Sequence, residues 1–168
     1  MEVPGKSAVQ LYSSSREWFA KSFTSENNPL LMDDQIFGKI IAKRSIHILG
    51  GFAPDWYPNF TLKVSFKDGR YKAEIIDISI TTGVRDDSSE TTNPFSAYFN
   101  KKEYYKNTGD PEWRFNNPIG GVRIGKAAAK AAARPNQGIY NLICKTESEM
   151  KDLLSKLHQE MLKTEDDW

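Results

Sequence analysis

Positions that can face a core recur at three- and four-residue intervals along Ala8, Leu11, Tyr12, Ser15, Phe19 and Phe23, the period of a helix with one buried face. Ser7 and Gln10 have the spacing of a capping box at its start, and Asn27-Asn28-Pro29 cannot continue it, so the helix is expected to close near residues 22–24. Residues 30–37 and 39–49 then read as two strands meeting around Gly38, with Arg44 interrupting the apolar face of the second. Gly50-Gly51 and the stretch from Pro54 to Pro58 form a loop with Trp56 and Tyr57 at its tip. Beyond it, Phe60, Leu62, Val64 and Phe66 alternate with Thr61, Lys63, Ser65 and Lys67, and Asp68-Gly69 supplies a two-residue hairpin turn. That turn sets Phe66 opposite Tyr71 and Val64 opposite Ala73 on one face, and Lys63 opposite Glu74 on the other. The alternation slips phase after Ile75-Ile76, as a bulge would make it do.

Residues 82–145 have no such clear period. Pro94, Pro111, Pro118 and Pro135 break the segment, and residues 126–133 are its one plainly helical piece. Residues 139–144 (I-Y-N-L-I-C) form an apolar run suited to an edge strand or to the core beneath the final helix. Thr146 and Glu149 have capping-box spacing, and Met150, Leu153, Leu154, Leu157 and Met161 give that closing helix its stripe. The last four residues read as a frayed polar tail.

The order is therefore strand, helix, four antiparallel strands, helix: an α+β domain over residues 1–168 with a long insertion at 82–145. The segments V-P-G-K-S, L-Y-S-S-S-R-E-W-F-A-K-S-F, M-D-D-Q-I-F-G-K-I-I-A-K and K-D-G-R-Y-K-A-E-I-I-D-I resemble a family of domains of unknown function with a TATA-box-binding-protein-like (TBP-like) fold, common in gut anaerobic bacteria. The resemblance covers residues 2–81 and, more weakly, the final helix. It implies a curved antiparallel sheet with both helices on one face. It also implies export, because members usually carry a secretion or lipoprotein signal. It implies no reaction, cofactor or catalytic residue, and it leaves the 82–145 segment, longer here than in the family, without inherited properties.

Composition narrows function mainly by exclusion. The 168 residues carry 23 basic and 22 acidic side chains, so no global field draws the molecule to nucleic acid or an anionic membrane. The 39% hydrophobic and 12% aromatic content is that of a chain that folds. No apolar run is long enough to span a membrane. Cys144 is the one cysteine, which rules out an intrachain disulfide and any multi-cysteine metal cage, and it reads as a buried thiol.

Candidate chemistry is sparse. Residues 120–127 spell G-G-V-R-I-G-K-A, one residue short of a phosphate-binding P-loop, with Ala127 where a hydroxyl should hold magnesium. A glycine turn before a helix accounts for it. Asp33-Asp34 and Asp86-Asp87 read as turn or loop carboxylates, since strand neighbours point to opposite faces and neither pair has calcium-loop spacing. No metal or other cofactor is implied. The outward sheet positions Lys43, Ser45, His47, Thr61, Lys63, Lys67, Arg70 and Lys72 lack the aromatics with which sheets stack bases, so DNA is not the expected partner. His47, outward and without a visible orienting partner, is expected to be dispensable.

Residues 82–145 hold the remaining candidates. Lys126, Lys130 and Arg134 fall on one helical edge, Arg123 lies just before it, and Tyr98 and Trp113 are among the eight aromatics of the segment. These six residues are the candidate ligand-binding set, for a protein, a glycan or a small anionic ligand. The leading reading is a non-catalytic binding or accessory domain. The alternative is an enzyme whose cleft, between the sheet and the insertion, would draw on residues such as His47, Asp77 and Glu103.

Overall fold

The computed structural model describes residues 1–23, 30–49, 55–82, 91–117 and 125–163. Helix α1 (Ala8–Ser22) is followed by strands β1 (Leu30–Asp34), β2 (Lys39–Ser45), β3 (Trp56–Lys67), β4 (Arg70–Thr82) and β5 (Thr91–Pro94). Helices α2 (Phe95–Phe99), α3 (Lys102–Gly109), α4 (Pro111–Asn116) and α5 (Lys126–Leu162) complete the chain. The strands form one sheet in the order β1-β2-β3-β4-β5. The residues group into two compact units: Met1–Ser45 with Asn59–Ile78 and Glu149–Trp168, and Ile46–Pro58 with Ser79–Ser148.

In the first unit α1 begins as the sequence dictates. Ser7 accepts from the backbone N–H of Gln10, whose side chain accepts in return from the Ser7 N–H at 2.9 Å. Leu11, Tyr12, Ser15, Trp18 and Phe19 are buried, and the helix ends at Ser22 with Phe23 as its cap. Before it, Glu2 bridges Arg70 and the Val3 N–H donates to the Gly69 carbonyl, so the opening residues pair with the start of β4 as a short strand. Asp68-Gly69 makes the turn between β3 and β4. Only Gly69 of the two has a positive φ, +71°, so the turn is not the doubly left-handed type I′. The Ala8 N–H, at the exposed start of α1, bonds to the Asp68 carboxylate at 2.7 Å and ties helix to turn.

The even positions of β3 from Trp56 to Phe66 are buried, as the alternation requires. The Tyr12 ring meets Phe66 edge-on, and Tyr71 shares a 2.9 Å hydrogen bond with His158 of α5, whose Leu153, Leu157 and Met161 are buried. Outward, Glu74 pairs with Lys72 at 2.7 Å and meets Lys63 across the strands at 3.8 Å. Thr61, expected outward and solvated, is instead buried. The phase slip falls at Ile76 and Asp77, both exposed, and Asp77 takes up a left-handed backbone with φ of 53°.

The second unit has buried residues of its own, among them Ile48, Trp56, Ile80, Phe95, Ala129, Ala133, Leu142 and Ile143. Trp56 and Tyr57, expected at a loop tip, open β3, and Trp56 packs its ring 4.6 Å from that of Tyr98. Asp110 caps α4 by accepting from the Glu112 and Trp113 N–H groups, with Pro111 in the first turn where its missing N–H costs nothing. Gly109 ends α3 so close to α5 that a Cβ there would lie 2.9 Å from backbone atoms of Gln137.

Three expectations for the C-terminal third are corrected by α5. Pro135 lies inside this 37-residue helix, residues 139–144 are helical rather than a strand, and Thr146 is no N-cap but donates back to the Leu142 carbonyl at 2.9 Å. A proline within a helix costs about 3 kcal/mol. Here buried residues anchor the helix on both sides of the proline, Ala129 and Ala133 before it and Leu142, Ile143, Met150, Leu153, Leu157 and Met161 after it, and that burial outweighs the lost bond. Although long, α5 is not apolar, and no helix among the described residues is long and apolar enough to cross a membrane.

Candidate functional site

Within the first unit, α1 and the β1–β2 hairpin enclose a pocket of about 280 Å³. Arg16, Phe19 and Ala20 line it from one face of α1, and Phe23 from the cap that ends the helix. Leu30 and Asp33 come from β1 and Ile40 from β2.

Leu30 and Asp33 are three residues apart, so in a regular strand they would face opposite ways. A bulge resolves this. Leu30 pairs with Ala42, Met32 with Ile41 and Asp33 with Ile40, leaving Leu31 as the extra residue on β1. Both Leu30 and Asp33 therefore sit opposite Ala42 and Ile40, the buried positions of β2. Asp34, one residue on, turns away and accepts the Phe37 N–H at 3.0 Å within the β1–β2 turn. Of the two adjacent carboxylates, Asp34 is the turn residue anticipated from sequence. Asp33 is not.

Asp33 holds the polar end of the pocket. Its Oδ2 accepts from Arg16 Nε at 2.8 Å, and its Oδ1 accepts from the Tyr12 hydroxyl. Burial and then the hydrogen bond to Asp33 push the Tyr12 hydroxyl up to about 12, so it keeps its proton through the neutral range. Phe23, on the apolar wall, carries the Arg44 guanidinium 5.3 Å above its ring. Burial draws Arg44 below its ordinary value and the nearby Glu149 partly offsets that.

In the second unit His47, expected to lack an orienting partner, has one: its Nε2 lies 3.0 Å from Asp55 Oδ2, and its ring stacks on Tyr57 at 4.8 Å. Tyr57 is also an aromatic at an outward-register position of β3, where none was expected. His47 pairs with Asp55 and not with Asp77 or Glu103; Asp77 belongs to β4, and Glu103 to α3 beside Lys106 at 3.8 Å.

The six candidates read from sequence are dispersed. Arg123 lies outside the described residues, as do residues 120–124 of the P-loop-like segment and Asp86-Asp87. Lys126, Lys130 and Arg134 are exposed along α5, with Lys126 5.3 Å over the ring of Phe115. Trp113 shares α4 with Phe115, and both are 36% exposed. Tyr98 is engaged by Trp56 and by Asn93. Cys144, expected to be buried, is half-exposed; its hydrogen bond raises the Tyr140 hydroxyl, and nearby Lys102, itself raised by bonding to Glu147 at 2.5 Å, joins α3 to α5.

Residues 1–81 match the family described as "Domain of unknown function (DUF4468) with TBP-like fold". A TBP-like protein from Parabacteroides distasonis matches over 98% of this chain and 90% of its own, at 15% identity and a TM-score of 0.60. A DUF4468 family protein from Bacteroides ovatus matches over 98% of this chain and 84% of its own, at 14% identity and the same TM-score. No curated protein matches. The resemblance read from sequence thus holds, and the α+β fold is TBP-like. The family match ends at residue 81, while both solved structures align with 98% of this chain.

Proposed function

We propose that this chain is a non-catalytic binding domain that takes a small aromatic or aliphatic carboxylate into the pocket between α1 and the β1–β2 hairpin. The observation that carries the reading is the commitment of the pocket's two polar side chains, Arg16 and Asp33, to one another, with the Tyr12 hydroxyl also bonded to Asp33. Both oxygens of Asp33 are engaged, Tyr12 holds its proton far above neutrality, and a guanidinium does not deprotonate. Such a set offers no proton to exchange at neutral pH, whereas apolar walls with a few fixed polar groups suit binding. Arg16 spends Nε–H on Asp33, and a guanidinium has five N–H donors in a planar fork that matches a carboxylate. The family resemblance extends this to an exported accessory domain, which fractionation of the native protein would decide.

A second reading rests on the edge formed by Lys126, Lys130 and Arg134, with Arg123 just before it in sequence and Trp113 and Tyr98 as aromatic contributors, because these exposed cations, one of them 5.3 Å over the exposed ring of Phe115, would attract an anion. One experiment separates the two. Thermal shifts are measured with a panel of small aromatic and aliphatic carboxylates on the unaltered chain, on Ala20→Trp, which fills the pocket from an exposed helix position, and on Lys130→Glu. A ligand at a hundred times its Kd stabilises by ~2.7 kcal/mol. Stabilisation lost in Ala20→Trp and kept in Lys130→Glu supports the pocket; the reverse pattern supports the α5 edge and defeats the pocket.

A further inference from the structure

We propose that a second copy of this chain docks on the β1–β2 hairpin, across a two-fold axis, through Leu30, Leu31, Met32, Ile36 and Phe37. Among the described residues β1 is the terminal strand of the sheet, so one of its edges carries backbone N–H and C=O groups with no neighbouring strand there. Monomeric proteins guard such an edge with lysine, proline, a bulge or an inward charge, and β1 has a bulge and the inward Asp33 but neither lysine nor proline. β1 reads L-L-M-D-D, and its two charges are spent inside the same unit, Asp33 on Arg16 and Tyr12 and Asp34 on the turn. The bulge at Leu31 breaks the ladder, and it also leaves that leucine 52% exposed. The turn beyond adds Ile36 at 92% and Phe37 at 75% exposure.

The extent of this strip decides its meaning. These five side chains expose on the order of 600 Å² of mostly apolar surface, at the upper end for a monomer's largest patch and near the ~800 Å² per partner of a stable interface. Its chemistry selects the occupant. Across a two-fold axis every residue meets the same patch on the other copy, so a charged strip would repel itself while an uncharged apolar one complements itself.

The test is sedimentation equilibrium from low micromolar to several hundred micromolar chain. The expected result is a doubling of mass with concentration for the unaltered chain and for Val9→Lys, an exposed α1 position outside the strip. Ile36→Lys/Phe37→Lys and, separately, Leu31→Lys are expected to sediment as monomers. Circular dichroism melts matched to the unaltered chain show that these exposed substitutions leave the fold intact. A monomer at every concentration, as for a strip covered by some other partner, overturns the proposal, and so does a dimer that survives both substitutions.

Discussion

Replacing Asp33 by alanine removes the acceptor shared by a buried hydroxyl and an exposed guanidinium, and the two losses differ in size. The Tyr12 ring is buried, so its hydroxyl would be left without an acceptor, a penalty of ~1–3 kcal/mol. The Arg16 side chain is 65% exposed, and a pair screened to that degree contributes only ~0–1 kcal/mol. Asp33→Ala should therefore destabilise by about 2–3 kcal/mol, mostly through Tyr12. A chain of this length loses about 2–4 °C in Tm per kcal/mol, giving a fall of roughly 5–10 °C. Arg16→Ala should cost under ~1 kcal/mol. Tyr12→Phe deletes the donor, and in that background Asp33→Ala should cost at least ~1 kcal/mol less than alone, the coupling a double-mutant cycle reads. Urea unfolding followed by circular dichroism, run on all four members of the cycle, measures it. Additive effects, or an Asp33→Ala loss no greater than that of Arg16→Ala, would refute the assignment of Asp33 to Tyr12.

Ser15 is fully buried in α1 and its hydroxyl has no partner among the described residues, so Ser15→Ala should stabilise by ~1 kcal/mol; a lower melting temperature would reveal a bond that the geometry does not show. Gly109→Ala forces a Cβ to within 2.9 Å of the Gln137 backbone, and a loss of ~1–3 kcal/mol in thermal unfolding is expected, whereas a neutral result would mean that α3 does not approach α5 so closely. Tyr12 and Tyr71 are both raised from 10.0 to about 12 in the folded chain, by burial in each case and also by Asp33 for Tyr12. Their protonated forms are favoured by folding, so that stability is complete below pH 10 and is lost as pH rises toward 12. Urea midpoints across this window should fall more steeply for the unaltered chain than for Tyr12→Phe/Tyr71→Phe, and parallel slopes would contradict the burial argument.

Local rules made much of the first unit legible. The Ser7–Gln10 box, the helix stripe from Leu11 to Phe19, the Asp68-Gly69 turn and the slip following Ile75-Ile76 each depend on neighbours within a few residues, and each stands at or within a residue of where the sequence puts it. The site was illegible because it depends on one extra residue. Nothing in L-L-M-D-D says that Leu31 bulges, and without that bulge Asp33 cannot share a face with Leu30. The Asp55 partner of His47 was hidden in a similar way, since it needs β3 to begin before Pro58. In α5, the proline that stops an isolated helix is overridden by a buried stripe on both sides of it. Within the segment of weak periodicity one local signal is legible: Asp110-Pro111 is a helix cap followed by an N1 proline, and it announces α4.

Two-dimensional amide and methyl NMR, titrated with a small aromatic carboxylate that stabilises the chain, tests the central claim most directly. The account predicts saturable shifts confined to Phe19, Ala20, Phe23, Leu30 and Ile40 and to the Arg16 side chain, and their disappearance in Ala20→Trp. Shifts that instead track Lys126, Lys130 and Arg134, or that persist when the pocket is filled, would contradict it.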